Sequence, residues 1–355
     1  MTGSADQRHI RMADYDYDLP HELIAQVPLD DRGASRLLVL DRTSGAIEHT
    51  RFTTLPGHLE PGDLLVFNDS RVIPARLRIR RHTGGAGELL LLRQEPDGAW
   101  LALGRPAKRL HPGEEVAVLH ASDSAGDDGS ATILGRDEHG LIRVLLGQAV
   151  AGNLEAYGAV PLPPYITAEL KDRERYQTVY SHERGSAAAP TAGLHFTDAM
   201  LDRLRQRGVD LAFVTLHVGL DTFRPVTEAW AEEHEIHTEW CSVPEETVDA
   251  IEACRARGGR VIAVGTTSAR TLETYGQRFD RGERGAFSGP TGIYITPGYR
   301  WTMVDGLFTN FHLPKSTLML MVSALAGRDA IMRAYREAIG ERYRFYSFGD
   351  AMLIV

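Results

Sequence analysis

Thr309, Asn310, His312, Lys315, Ser316 and Thr317 fall within nine positions, with Phe311 and Pro314 among them. An apolar run, LMLMVSALA, follows at once from Leu318 and stops at Gly327. Ser316 or Thr317 is suited to cap a buried helix of about ten residues that Gly327 would end. A helix start beside a histidine and a lysine offers free N–H groups, a positive dipole end and a cation together. That combination suits an anion or a developing negative charge. The competing reading is a capped core helix with a solvated lysine.

Gly265-Thr266-Thr267-Ser268 lies between the apolar run VIAV and a helical pattern. This is where α/β sheets bind ligands, so the hydroxyls and N–H groups there suit a ribose, carboxylate or phosphate. A plain N-cap explains the same residues. One turn later Arg270 offers a planar fork for a carboxylate. His195 follows Gly193 and His217 precedes Gly219. A glycine nearby lets backbone or ligand approach closely, although a lone histidine is more often structural. His234, His237 and Glu239 form an HxxHxE cluster, for which a metal is the competing account. Phe196, Phe223, Tyr294, Phe308 and Phe311 add rings near these groups, and a π face can stabilise a cation.

The elements needed to position these residues are of two textures. After a loose tail to about Ala13, LLVLDRTSGAIEHTRF reads as two strands about a Thr43-Ser44-Gly45 turn. Leu64 to Phe67 reads as a buried strand ended by Asn68-Asp69-Ser70. Later come a helix capped by Thr197, the strand VDLAFVTLHVG, the helix EETVDAIEACRARGG, the strand VIAVG and the helix TSARTLETYG. Strand–helix alternation of this kind predicts an α/β layered domain. Between residues 71 and 153, short strands alternate with glycine-rich turns without helical periods, which predicts a small antiparallel β-barrel. The expected organisation is a discontinuous α/β domain, residues 1–70 and 154–355, with a β-barrel inserted at 71–153.

The chain has 355 residues, 43% hydrophobic and 25% charged, as in ordinary globular proteins. No apolar run reaches the length of a bilayer span, and the N-terminal stretch lacks a signal-peptide core. Cys241 and Cys254 are too few for a zinc site or disulfide framework, so a reducing cytoplasm is expected. The net charge of −9 hides a local excess of +6 over residues 71–110. A basic segment on an acidic body predicts one surface that faces a polyanion. In ARLRIR, Arg76, Arg78 and Arg80 share one strand face and form a candidate phosphate ladder.

Several of these segments carry a resemblance: APTAGLHFT at Ala189, LHVGLDTFRPV at Leu216, NDSRVIPARL at Asn68, VIAVGTTSARTLE at Val261 and GLFTNFHLPKST at Gly306. Together they resemble the S-adenosylmethionine:tRNA ribosyltransferase-isomerases of bacterial queuosine biosynthesis, from about Tyr17 to the C-terminus. Asp221, where glycine is usual, and Ala269, where valine is usual, depart from the pattern.

The resemblance implies transfer and isomerisation of the S-adenosylmethionine ribosyl group onto 7-aminomethyl-7-deazaguanine at the tRNA wobble position. Epoxyqueuosine-tRNA, adenine and methionine would be the products. It implies no permanently bound cofactor, no metal, no membrane and a monomer, with S-adenosylmethionine and the anticodon loop as substrates. His195, His217 and His312 are then candidate proton-transfer groups, with Asp69 and Glu239 next. Thr266, Thr267, Ser268, Asn310, Arg270 and Lys315 are candidate substrate contacts, the last two holding anions in one cleft. A methyltransferase and a non-catalytic RNA-binding barrel are the rivals. Against the first, no glycine-rich loop follows the first strand of the α/β part; against the second, the polar motifs lie outside the barrel.

Overall fold

The computed structural model describes residues 9–121, 128–137, 140–170, 172–219 and 225–355. Asp221 and Phe223 lie outside them. The chain opens with a hairpin, β1 (Arg36–Leu40) and β2 (Ile47–Arg51), and then β3 (Leu64–Asn68) and β4 (Ser70–Val72). Six strands follow: β5 (Arg76–Arg81), β6 (Ala86–Gln94), β7 (Trp100–Arg105), β8 (Glu115–Val118), β9 (Gly129–Arg136) and β10 (Ile142–Leu146). Short helices α1 (Gln148–Gly152) and α2 (Leu154–Tyr157) lead to β11 (Gly158–Ala159) and β12 (Glu183–Ser186).

The remainder alternates strand and helix. It runs α3 (Asp198–Gln206), β13 (Asp210–Leu216), β14 (Glu239–Val243), α4 (Glu245–Ala256), β15 (Val261–Val264), α5 (Thr266–Asp280) and β16 (Phe287–Thr291). It ends with β17 (Gly306–Asn310), α6 (Thr317–Ala326), α7 (Arg328–Gly340) and β18 (Ala351–Ile354).

Nine strands form one mixed sheet in the order β16-β14-β13-β3-β15-β17-β18-β1-β2. Its centre, β13-β3-β15-β17, is parallel. Central strands are apolar at successive positions because both faces are covered. Leu64, Val66, Val261 and Ala263 enter one core with α4 to α7. Leu65, Phe67, Ile262 and Val264 enter the other with α3 and the turn Phe52–His58. The period of two thus divides each strand between two cores.

Strands β5-β6-β7-β10-β9-β8 close on themselves through β5–β8, all antiparallel, giving a six-stranded barrel with its own core. The expected layered α/β body with an inserted antiparallel barrel is therefore the fold. Pairing continues past residue 153, because β11 adds to β5 outside the closed circuit. The loose tail ends earlier than expected: Met12 is 1% exposed and packs into the main core. One buried methionine leaves no periodic signature. No helix among the described residues is long and apolar enough to cross a membrane.

Candidate active site

Parallel β3, β15 and β17 end side by side at Asn68, Val264 and Asn310. Gly265 follows β15 at φ 88, a conformation that favours glycine, and turns the chain straight into α5. No side chain caps α5, so the N–H groups of its first turn lack helical acceptors. Asn68 is buried behind that turn. Its Nδ2 donates to Thr267 Oγ1 at 3.1 Å and to the Leu216 carbonyl at 3.0 Å. Its Oδ1 accepts from the N–H groups of Ser70 and Leu216. One side chain thereby locks β3, β13 and α5 together.

A cleft opens at these strand ends. Thr266, Thr267, Asn310 and His312 line it, with Pro190, Thr191, Ala192 and Val218 opposite. Tyr165, Tyr346 and Ser347 complete the wall. Ser268 is not among the lining residues; it is buried with its hydroxyl on the Val264 carbonyl.

The three histidines occupy different positions. His312 lines the cleft, with Nε2 2.8 Å from Thr309 Oγ1. Its N–H donates to Tyr335 Oη and its carbonyl accepts from Tyr17 Oη. Burial lowers its pKa to about 3, so its imidazole is neutral. His195 lies behind Asn310, bonded to Asn310 Nδ2 at 3.1 Å and to Ser35 Oγ at 2.8 Å. Burial, then the charges of Arg344 and Arg32, lower it to about 3. His217 lines neither this cleft nor the smaller cavity beside His195; it stacks on Trp240 at 5.3 Å, with Nδ1 buried and without a partner among the described residues. Burial lowers its pKa too. The Gly193 turn before His195 is forced by packing, since a Cβ there would meet Tyr180 Oη at 1.9 Å.

Neither Arg270 nor Lys315 lines the cleft, which differs from the expectation that both hold anions in it. Arg270, one turn into α5, is drawn back onto the buried Glu239 carboxylate through Nη1. Glu239 also accepts from the Gly219 N–H at 2.8 Å. Arg270 Nε and Nη2, its side-on carboxylate-binding edge, are buried without hydrogen-bond partners among the described residues. Lys315 sits at φ 49 before α6, half exposed, with Nζ 3.0 Å from Asp16 Oδ2. Ser316, not Thr317, is the N-cap of α6, accepting from Met319 N–H at 3.2 Å. Asp69 accepts from Thr215 Oγ1 at 2.8 Å, and burial raises its pKa.

On the barrel, Arg76, Arg78 and Arg80 alternate with buried Leu77 and Ile79 as the strand pattern predicts. Each already has a partner: Glu88, the carbonyls of His120 and Ala121, and Asp128. In the HxxHxE segment, His234 Nδ1 lies 3.3 Å from Glu228 and Glu239 is committed to Arg270. Of the rings singled out in the sequence, Phe196, Phe308 and Phe311 are all core, and Phe311 also borders the cleft. Tyr165, Tyr346 and Ser347 were not anticipated. Tyr346 stands at φ 69, a feature that no residue type announces.

The chain matches the queuosine biosynthesis protein family over residues 12–354. It is 52% identical over 351 residues to the S-adenosylmethionine:tRNA ribosyltransferase-isomerase of Symbiobacterium thermophilum, covering 98% of this chain and 100% of that one. A crystal structure of S-adenosylmethionine tRNA ribosyltransferase from Thermotoga maritima aligns with a TM-score of 0.56 at 40% identity, over 96% of this chain and 100% of that one. This chain therefore belongs to the S-adenosylmethionine:tRNA ribosyltransferase-isomerase family of queuosine biosynthesis.

Proposed function

We propose that the enzyme moves the ribosyl group of S-adenosylmethionine onto 7-aminomethyl-7-deazaguanine at the tRNA wobble position and isomerises it. Epoxyqueuosine-tRNA, adenine and methionine are the products. The observation that carries this reading is convergence: residues near 190, 218, 266 and 310, far apart in sequence, line one cleft at the ends of parallel strands.

The chemistry needs a base near the carbon next to the sulfonium, an acid for departing adenine, and exclusion of water. His312 is the preferred base by position, since of the three histidines it lines the cleft. The first turn of α5, with Thr266 and Thr267, meets the ribose hydroxyls. Phe311, Tyr165 and Tyr346 present apolar rings to the sulfonium. Arg270 takes the methionine carboxylate on its Nε–Nη2 edge, and Lys315 faces RNA. The basic barrel face, through Arg76, Arg78 and Arg80, contributes phosphate contacts. The enzyme works as a cytoplasmic monomer.

Incubation with S-adenosylmethionine and precursor tRNA tests the reading through its small products. Free adenine supports it; S-adenosylhomocysteine would indicate methyl transfer, and no product would leave a binding protein.

A further inference from the structure

A second, smaller cavity lies beside His195. Arg32, Ser35, Arg175, His195 and Ser347 line it. Ser347 lines the cleft as well, so the two spaces share a wall residue.

The charge in this cavity is unusual. Arg32 donates from Nη1 to the carbonyls of Gln177 at 2.8 Å and Leu194 at 3.4 Å, and from Nη2 to that of Glu174 at 2.9 Å. Arg175 donates to the carbonyls of Asp30 at 3.1 Å and Leu29. Neither guanidinium has a carboxylate ion-pair partner among the described residues. Carbonyls orient these cations without neutralising them. Asp172 and Glu174 act on Arg32 from further off, but burial and the like charge of Arg175 outweigh them and lower its pKa. Arg344, with Nη1 buried and without a partner among the described residues, adds a third cation felt by His195.

The hydroxyl of Ser35 extends the donor set. Asn310 Nδ2 occupies His195 Nε2, so the ring proton sits on Nδ1 and is donated to Ser35 Oγ. The Ser35 O–H is then left to donate onward. Two guanidiniums and a hydroxyl around one space suit an oxyanion such as a phosphodiester.

We propose that this cavity is a phosphodiester site: Arg32, Arg175 and Ser35 hold an RNA backbone phosphate flanking the nucleotide whose base enters the neighbouring cleft. The inference rests on the tRNA substrate proposed above. It adds that the α/β body, beside the barrel face, grips the strand at the modified nucleotide.

The test is binding of an anticodon stem-loop across a salt series, with S-adenosylmethionine binding measured separately. Arg175→Gln should weaken stem-loop binding about tenfold and reduce the salt slope by about 0.7–0.9. Affinity for S-adenosylmethionine should stay within twofold. The intact enzyme supplies a readout that does not depend on a variant folding. A neutral methylphosphonate at a phosphate flanking the wobble nucleotide should cost the same tenfold, and cost nothing further in Arg175→Gln. If methylphosphonates at both flanking positions leave binding unchanged, the site does not hold that phosphate. If Arg175→Gln instead weakens S-adenosylmethionine tenfold and spares the stem-loop, the anion is the methionine carboxylate. Failure of the intact enzyme to release adenine would overturn the ribosyl-transfer reading, whereas the change in salt slope between the parent and Arg175→Gln reports on this cavity.

Discussion

Asn310 Nδ2 donates to His195 Nε2 across 3.1 Å, and that bond fixes which proton the imidazole keeps. The amide orientation is set independently, because Thr191 Oγ1 donates to Asn310 Oδ1 and Nδ2 also faces the Asp350 carbonyl. His195 is thereby committed on both nitrogens, to Asn310 and to Ser35. His312 stands in the cleft wall itself.

The two histidines should therefore differ in kinetics. His312→Ala is expected to cut turnover by about 10²–10⁴ with the fold intact, as removal of a general base does. His195→Ala and His217→Ala should act mainly through stability or KM. Near-normal turnover in His312→Ala would move the base elsewhere, with Asp69 and Glu239 next to be replaced.

Acid stability follows from the same burial. His195 and His312 are held at about 3, below the ordinary 6.5. Protons then bind the unfolded chain first, so stability present above pH 6.5 is lost as pH falls towards 3. Each histidine should remove about 2 kcal/mol by pH 5. Asp69 and Asp350, raised by burial, act in the opposite sense. The comparison is therefore between variants. Denaturant unfolding of His312→Gln should lose about 2 kcal/mol less than the parent between pH 7 and pH 5. Equal losses would contradict a neutral, buried His312.

Arg270 calls for a careful substitution. Arg270→Ala strands the buried Glu239 carboxylate and should destabilise by about 3–5 kcal/mol. Arg270→Lys keeps the charge and loses the Nε–Nη2 edge. Loss of a charge-assisted bond at about 1.5–3 kcal/mol should raise the S-adenosylmethionine dissociation constant 10- to 100-fold, with stem-loop affinity unchanged. Calorimetry that finds normal S-adenosylmethionine binding would make Arg270 structural.

Much of the fold was legible in the residues because its signals are local. Two-fold alternation in ARLRIR, the Thr197 and Ser316 caps and the apolar runs of β3 and β15 each name an element within a few positions. The site was legible only as far as its segments carried polar residues together. Nothing in GTTSAR states that Arg270 turns back onto Glu239, 31 residues earlier, while Thr266 and Thr267 face the cleft. Pairings over such separations are decided by the sheet order. Ser35 and Arg32, near the first strand, meet His195 for the same reason.

The barrel face is tested by charge removal. Arg76 and Arg80 are 39% and 53% exposed, and their pairs with Glu88 and Asp128 are surface ion pairs worth about 0–1 kcal/mol each; Arg78 is exposed and bonded to the His120 and Ala121 carbonyls. The partners should yield to phosphate at little cost. Replacing all three by Gln should lower the salt slope of tRNA binding by roughly one unit per lost contact. Lys315→Ala should lower it by one more, since its Asp16 pair is equally exposed. An unchanged slope in the triple variant would remove the barrel strand from the RNA surface.

The most direct measurement follows label from S-adenosylmethionine carrying ¹³C in its ribose carbons. After reaction with precursor tRNA, mass spectrometry of the wobble nucleoside should show all five labelled carbons. Unlabelled adenine and methionine should be released in equal amounts. A nucleoside without ribose label, or S-adenosylhomocysteine retaining all five labelled carbons, would contradict ribosyl transfer.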